Sequence, residues 1–156
     1  MRLGIVCMGK TREPFIQEGI QKYLRYLGPY AEVSLKELKE EKIQDLREAP
    51  TIRRKEAEKI FKALPAGGVL VALDERGEEY TSHEFASFVN DLLESGVRDV
   101  LFVLGGAMGL DETVTGRAKK VIALSRWTLT HEMARLVLLE QLYRAFTIIK
   151  GKTYHY

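Results

Sequence analysis

The stretch Val100-Leu101-Phe102-Val103-Leu104-Gly105-Gly106-Ala107-Met108-Gly109 decides the fold, because five consecutive apolar residues stop at a glycine-rich turn. A short, wholly apolar run bounded by turn residues is the pattern of a strand buried on both faces. The pattern recurs downstream, where Val121-Ile122-Ala123-Leu124 ends in Ser125-Arg126-Trp127-Thr128, and upstream, where Val69-Leu70-Val71-Ala72-Leu73 ends in Asp74-Glu75-Arg76-Gly77. In an open α/β sheet, ligands sit in the crevice outside the carboxyl ends of the parallel strands, and glycine there lets a ligand approach the backbone without meeting a Cβ. Three strand ends, together with the helix that starts after Thr130, are therefore expected to converge on one site.

Outward from this stretch, strands alternate with helices. Arg2 to Met8 reads as a first strand, and Phe15, Ile16, Ile20, Tyr23, Leu24 and Leu27 then recur at helical spacing up to Gly28-Pro29, which is read as the stop. Ala31, Val33 and Leu35 alternate with Glu32, Ser34 and Lys36, the mark of a half-buried strand towards the edge of a sheet. A helix is predicted after Pro50, preceded by a loop or a helical turn. Thr81 with Glu84 forms a capping box ahead of Phe85, Phe88, Val89, Leu92 and Leu93, with Gly96 as the stop, and Asp111 and Thr113 are candidate caps for a short helix. The alternation predicts a single α/β domain over residues 1–156, a mostly parallel sheet with helices on both faces.

Composition narrows the function by exclusion. The chain has 156 residues, and its 24 Lys and Arg against 22 Asp and Glu leave a net charge of +2, which does not identify a nucleic-acid binder by itself. The single cysteine, Cys7, cannot form an internal disulfide and reads as a buried structural thiol. No apolar run approaches the ~18 residues of a membrane span, and the first residues read as a strand and not as a signal peptide, so a soluble cytoplasmic protein is expected. Arg53-Arg54-Lys55 offers a possible phosphate patch, but Glu56 and Glu58 interleave with Lys55 and Lys59, and a solvated helix face is the preferred reading.

Gly105-Gly106-x-x-Gly109 satisfies neither the dinucleotide fingerprint nor the P-loop, three histidines and one cysteine with no close ligand pair argue against a metal site, and no nucleophile elbow is present. His131 is more informative. With Thr130 as N-cap it occupies the first turn of the last helix, and Arg135 lies one turn later, so the spacing fits two readings equally: both side chains address one anionic or polar ligand from the same face, or they form the polar N-terminal turn of a surface helix. Glu140 and Arg144, also four apart, read as an ordinary salt bridge.

The ordered set Leu73-Asp74, Leu104-Gly105-Gly106-x-x-Gly109, Leu124-Ser125-x-x-Thr128, His131-x-x-x-Arg135, Glu140-Gln141-x-Tyr143-Arg144-Ala145 and Tyr154-His155 closely resembles the RlmH family of large-subunit ribosomal RNA methyltransferases, in the SPOUT superfamily. The resemblance covers essentially the full length and is densest after Val100. It implies a SPOUT-type α/β knot, with a trefoil near the C-terminus, and a homodimer. It further implies methyl transfer from S-adenosylmethionine to N3 of a pseudouridine in 23S rRNA within the ribosome, without a metal. By motif matching, Leu73, Gly105 and the segment Leu124, Ser125, Arg126, Trp127, Thr128 and Leu129 line the cofactor pocket, and Gly106 supports the bend. His131, Arg135, Tyr154 and His155 are the catalytic candidates. Either histidine can receive the imide proton, and Arg135 can hold a phosphate or stabilise the imide anion. Thr130, Glu132 and Tyr156 depart from the residues often found at these places in the family. The tail after Gly151 is expected to serve the substrate and to add little to the fold.

Overall fold

The computed structural model describes residues 1–154. Five parallel strands form one sheet in the order β2-β1-β4-β3-β5: β1 (Arg2–Met8), β2 (Glu32–Leu38), β3 (Val69–Glu79), β4 (Asp99–Leu104) and β5 (Lys120–Ala123). The helices between and after them are α1 (Pro14–Leu27), α2 (Ala49–Ala63, preceded by a 3-10 turn at Leu46–Glu48), α3 (Ser82–Glu94), α4 (Glu112–Arg117) and α5 (His131–Ile149).

Side-chain alternation along the strands divides the core into two layers. On β1, Leu3, Ile5 and Cys7 face one way, and on β4 so do Val100, Phe102 and Leu104; with Ile16, Phe85, Leu92, Leu138 and Phe146 they make the core beneath α1, α3 and α5. Val6, Met8, Leu101 and Val103 face the other way and pack with Ala57 and Ile60 of α2 and Val114 of α4. Both faces of the central strands are thus buried, which is why they read as continuous apolar runs, whereas β2, which alternates, forms an edge. Cys7 is fully buried, and loss of solvent pushes its thiol up to about 12 against the pull of the Arg135 charge, so it is a packing residue.

The local signals held where they were local. Thr81 accepts from the Glu84 amide while the Glu84 carboxylate accepts from the Thr81 amide, the reciprocal cap of α3. Asp111 accepts from the Thr113 amide at 3.1 Å to start α4, and Thr130 from the Met133 amide at 3.2 Å to start α5. α1 stops at Gly28-Pro29 as read, with Gly28 as C-cap at right-handed helical angles (φ −48, ψ −42) ahead of a proline that cannot continue the ladder. One boundary differs from the sequence reading. β3 runs past Leu73 to Glu79: Leu73 and Glu78 both register with Ile122, and residues 74–77 arch out between them. Gly77 permits the return, since a Cβ there would lie 2.6 Å from the carbonyl of Val121.

Candidate functional site

The sheet changes winding direction around β4 and β3, and there the carboxyl ends of β3, β4 and β5 open a cleft of about 500 Å³. That size suits a small organic ligand. Leu73 and the arch Asp74, Glu75 and Arg76 form one wall, Gly105 to Leu110 a second, and Leu124, Ser125, Trp127, Thr128 and Leu129 a third, with His131 and Ala134 of α5 and Arg53 of α2 completing it.

Each wall is held by its own backbone chemistry. The glycine loop closes on itself through the Gly109 amide, which donates to the Gly106 carbonyl at 3.0 Å. Arg53 Nη1 donates to the Met108 carbonyl at 3.4 Å, tying α2 to the loop. Gly106 has no room on its inner side: a Cβ there would lie 3.2 Å from Glu56 Oε1 and 3.2 Å from the Met8 Cβ. Behind it, Glu56 is buried, and desolvation raises its pKa against the opposing hydrogen bond from the Glu41 amide. In the third wall the Trp127 amide donates to Ser125 Oγ at 2.9 Å, fixing the turn between β5 and α5.

Electrostatically the cleft is mixed. Burial disfavours ionisation of Asp74, but the side-chain and backbone hydrogen bonds from Arg76 and its charge outweigh this and hold the carboxyl below its usual range. An anionic Asp74 beside backbone carbonyl and amide groups suits a ligand that carries both polar and cationic groups, and the leucines supply apolar surface.

Of the residues singled out from the sequence, Leu73, Gly105, Gly106, Leu124, Ser125, Trp127, Thr128, Leu129 and His131 share this one cleft. Arg126 stands outside the lining, exposed, with Nε 3.5 Å from Glu79 Oε1. Arg135 departs further from the reading that paired it with His131. It is 2% exposed and turns inward, because the end of β1 presents acceptors that need a donor: the Met8 carbonyl and Thr11 Oγ1, each at 2.8 Å. Tyr154 also lies off the lining, with its hydroxyl 3.2 Å from Glu140 Oε1 and 3.4 Å from the Tyr23 hydroxyl, and its ring against Tyr143. His155 and Tyr156 lie outside the described residues. Arg53 was missed as a cleft residue, since its charge looked like part of a solvated face and only the tertiary contact with Met108 shows otherwise. The Glu140–Arg144 ion pair is present as read.

Among the described residues, no group of three or more His, Cys, Asp or Glu is placed to hold a metal, and no helix is long and apolar enough to cross a membrane.

A parallel α/β sheet with a glycine-walled cleft at the switch in strand order defines an α/β domain with room for a small ligand at its strand ends. Comparison sharpens the class. The family described as "Predicted SPOUT methyltransferase" matches residues 1–155, and the chain belongs to that family. Its relatives include the "Ribosomal RNA large subunit methyltransferase H" of Geobacter sp., 45% identical over 156 residues and covering 100% of this chain and 99% of that protein. The protein of the same name from Trichlorobacter lovleyi is 44% identical over 156 residues, covering 100% of both. Among solved structures, a probable methylase family protein from Haemophilus influenzae Rd KW20 superposes with a TM-score of 0.59 at 13% identity, covering 99% of this chain and 70% of that one, a likeness of fold.

Proposed function

We propose that this protein transfers a methyl group from S-adenosylmethionine to N3 of a pseudouridine in 23S rRNA, acting as a cytoplasmic homodimer on the ribosome. The observation that carries the reading is the cleft itself: three chain segments far apart in sequence, around Leu73, Gly105 and Leu124 to Leu129, meet at three adjacent strand ends. The full-length relatives named for large-subunit rRNA methylation support the substrate.

The donor set fits the cofactor. Leu73, Leu124 and Leu129 offer apolar contact, Gly105 and Gly106 offer bare backbone, and the Asp74 carboxylate suits a cationic group. S-adenosylmethionine when bound supplies an activated methyl group, so the protein's own task is alignment and removal of the imide proton. His131 is our candidate to receive that proton, supported by its exposure at the first turn of α5 and its position on the cleft wall. His155 is the alternative base. The reading also carries the trefoil-knotted threading of the superfamily.

The dimer is supported by α5, which carries apolar residues on more than the face its own core uses. Leu138, Leu142, Ala145 and Phe146 are buried, while Val137 is half-exposed and packs against neither core layer. On neighbouring α1, Phe15 and Tyr26 are also exposed.

Transfer of labelled methyl groups to ribosomes that lack the modification, followed by mapping of the product, tests the proposal. Label at N3 of one pseudouridine is the expected result; label elsewhere, or none with a folded, cofactor-binding protein, overturns it.

A further inference from the structure

The buried residues of α2 are Ile52, Glu56, Ala57 and Ile60. Ile52, Glu56 and Ile60 recur at every fourth position, so the apolar stripe of the helix is interrupted at its centre by a carboxyl group. Glu56 is 5% exposed, and glutamate is almost never so covered unless it is paired. Among the described residues it forms no ion pair. Lys59, whose charge acts on it, is held instead by Glu41 Oε1 at 2.9 Å and by the Lys39 carbonyl at 2.6 Å. A leucine would fill the same stripe without the cost of drying a carboxyl, so Glu56 calls for a reason outside the packing of α2.

The reason lies at the tip of the side chain. A Cβ added to Gly106 would meet Glu56 Oε1 at 3.2 Å and Oε2 at 3.5 Å, so the bare Cα of this cleft glycine rests against both carboxyl oxygens. One turn earlier on the same face of α2, Arg53 Nη1 donates to the Met108 carbonyl. α2 thus meets the loop at Gly106 and at Met108, within the turn that the Gly109 amide closes onto the Gly106 carbonyl. Glu56 Oε2 also accepts from the Glu41 amide at 3.3 Å, which ties the segment after β2 to the same point. Glu56 itself does not line the cleft, whereas Gly105 to Gly109 form one of its walls. A loop this rich in glycine has little shape of its own and takes it from what it is packed on.

We infer that Glu56 is a positioning residue for the cofactor: together with Arg53, its carboxyl holds the glycine loop from behind in the shape that presents bare backbone to the cleft. The inference rests on the methyl-transfer reading above and deepens it, since it names what keeps the cofactor wall in place.

The test compares wild type, Glu56→Gln, Glu56→Asp and Glu56→Ala in the full chain, by calorimetry with S-adenosylmethionine below the melting temperature of each and by the KM for unmodified ribosomes. Glu56→Ala empties the space behind Gly106 and should weaken cofactor affinity by about 10- to 100-fold, with the KM for ribosomes within about twofold of wild type. Glu56→Gln keeps the shape and an acceptor oxygen and should restore the affinity to within about threefold. Glu56→Asp withdraws the carboxyl by one methylene and should show a smaller loss in the same direction, which decides the matter where Glu56→Ala does not fold. Wild-type cofactor affinity in folded Glu56→Ala and Glu56→Asp overturns the inference and leaves Glu56 a core residue only, even if both melt early. So does a Glu56→Gln as impaired as Glu56→Ala, because the shape is then not what holds the loop. A wild type that binds no S-adenosylmethionine sinks the underlying reading, and the inference with it.

Discussion

Arg135 donates through Nη2 to the carbonyl oxygen of Met8 at 2.8 Å, and this bond ties the second turn of the last helix to the end of the first strand. The same guanidinium reaches Thr11 Oγ1 through Nη1, and one residue after His131 the Glu132 carboxylate accepts from the amides of Arg12 and Glu13 at 2.7 and 2.9 Å. The segment between β1 and α1 is therefore gripped by the helix that also carries His131. Glu132 caps α1 from outside, since Glu13 is the N-cap and has no side-chain cap of its own.

Replacing Arg135 by methionine keeps the length of the side chain and removes both donors. Two buried acceptors then lose a charged partner, with an expected loss of about 2–4 kcal/mol in unfolding free energy. Cofactor affinity should fall less than stability, because Arg135 does not line the cleft. Chemical denaturation and calorimetry on the same preparation decide the point; intact stability with lost methyl transfer would return Arg135 to the catalytic groups.

The clasp also predicts a pH dependence. The Glu13 amide is the largest influence on Glu132, with the Arg12 amide and the charges of Arg135 and Arg12 acting the same way against a burial penalty, and the carboxyl is held below the ordinary glutamate range. A carboxyl depressed in the folded state contributes stability above its unfolded pKa and loses it as pH falls through the folded value. Glu132→Gln should therefore melt below wild type at neutral pH, and the gap should narrow as pH drops from about 5 towards 3. A gap that is constant or widens on acidification contradicts this.

What the sequence made legible was local or periodic. The capping box of Thr81 and Glu84, the apolar runs of β3, β4 and β5 and the polar edge strand β2 each carry their own signal within a few residues, and strand ends in a parallel sheet point to the site. The fate of Arg135 was not legible, because its spacing from His131 is compatible with either a ligand or a tertiary acceptor, and the acceptors at Met8 and Thr11 lie more than a hundred residues away in the chain. The arch at residues 74–77 was hidden for a related reason. Its charged sequence reads as a loop end, and only the approach of Gly77 to Val121 reveals the return to β5.

Gly106 is a second place where spacing and structure give different reasons for one outcome. The sequence reading has Gly106 supporting the bend of the loop, and the structure gives a packing reason, since a Cβ there points inward to Glu56 and Met8 at 3.2 Å. Gly106→Val should therefore displace the whole loop, costing about 1–3 kcal/mol of stability and removing measurable cofactor binding, and Gly106→Ala should give a smaller loss of both. Unaltered melting temperature and cofactor affinity in the valine variant would take the glycine loop out of the site.

If α5 supplies the dimer contact, a charge at Val137 should break it. The side chain is half-exposed and free of both core layers, so Val137→Glu leaves the protomer folded while placing a charge in a dry interface. Light scattering at micromolar concentration should give twice 17.8 kDa for the wild type and the single value for the variant. A dimer that survives the charge unchanged puts the contact elsewhere.

The tail divides into two parts with different expected roles. The sequence reading gave all of it to the substrate, but Tyr154 is half-buried, its ring stacks edge-on with Tyr143 at 4.7 Å, the Arg144 guanidinium lies 4.9 Å over it, and Lys152 lies 5.0 Å from the ring of Tyr30. Burial and the hydrogen bonds with Tyr23 and Glu140 also push the Tyr154 phenol upward, so it stays protonated at neutral pH and acts as a donor in this cluster. Deleting residues 152–156 should thus lower stability by about 1–2 kcal/mol through loss of the aromatic packing. Deleting only His155 and Tyr156 should leave the melting temperature unchanged. If His155 takes part in removing the imide proton, that shorter deletion should still cut methyl transfer to ribosomes by about 10²- to 10⁴-fold at unchanged cofactor affinity. Full transfer after the shorter deletion assigns the proton to His131 alone, and a fall in melting temperature after it shows that the last two residues belong to the fold.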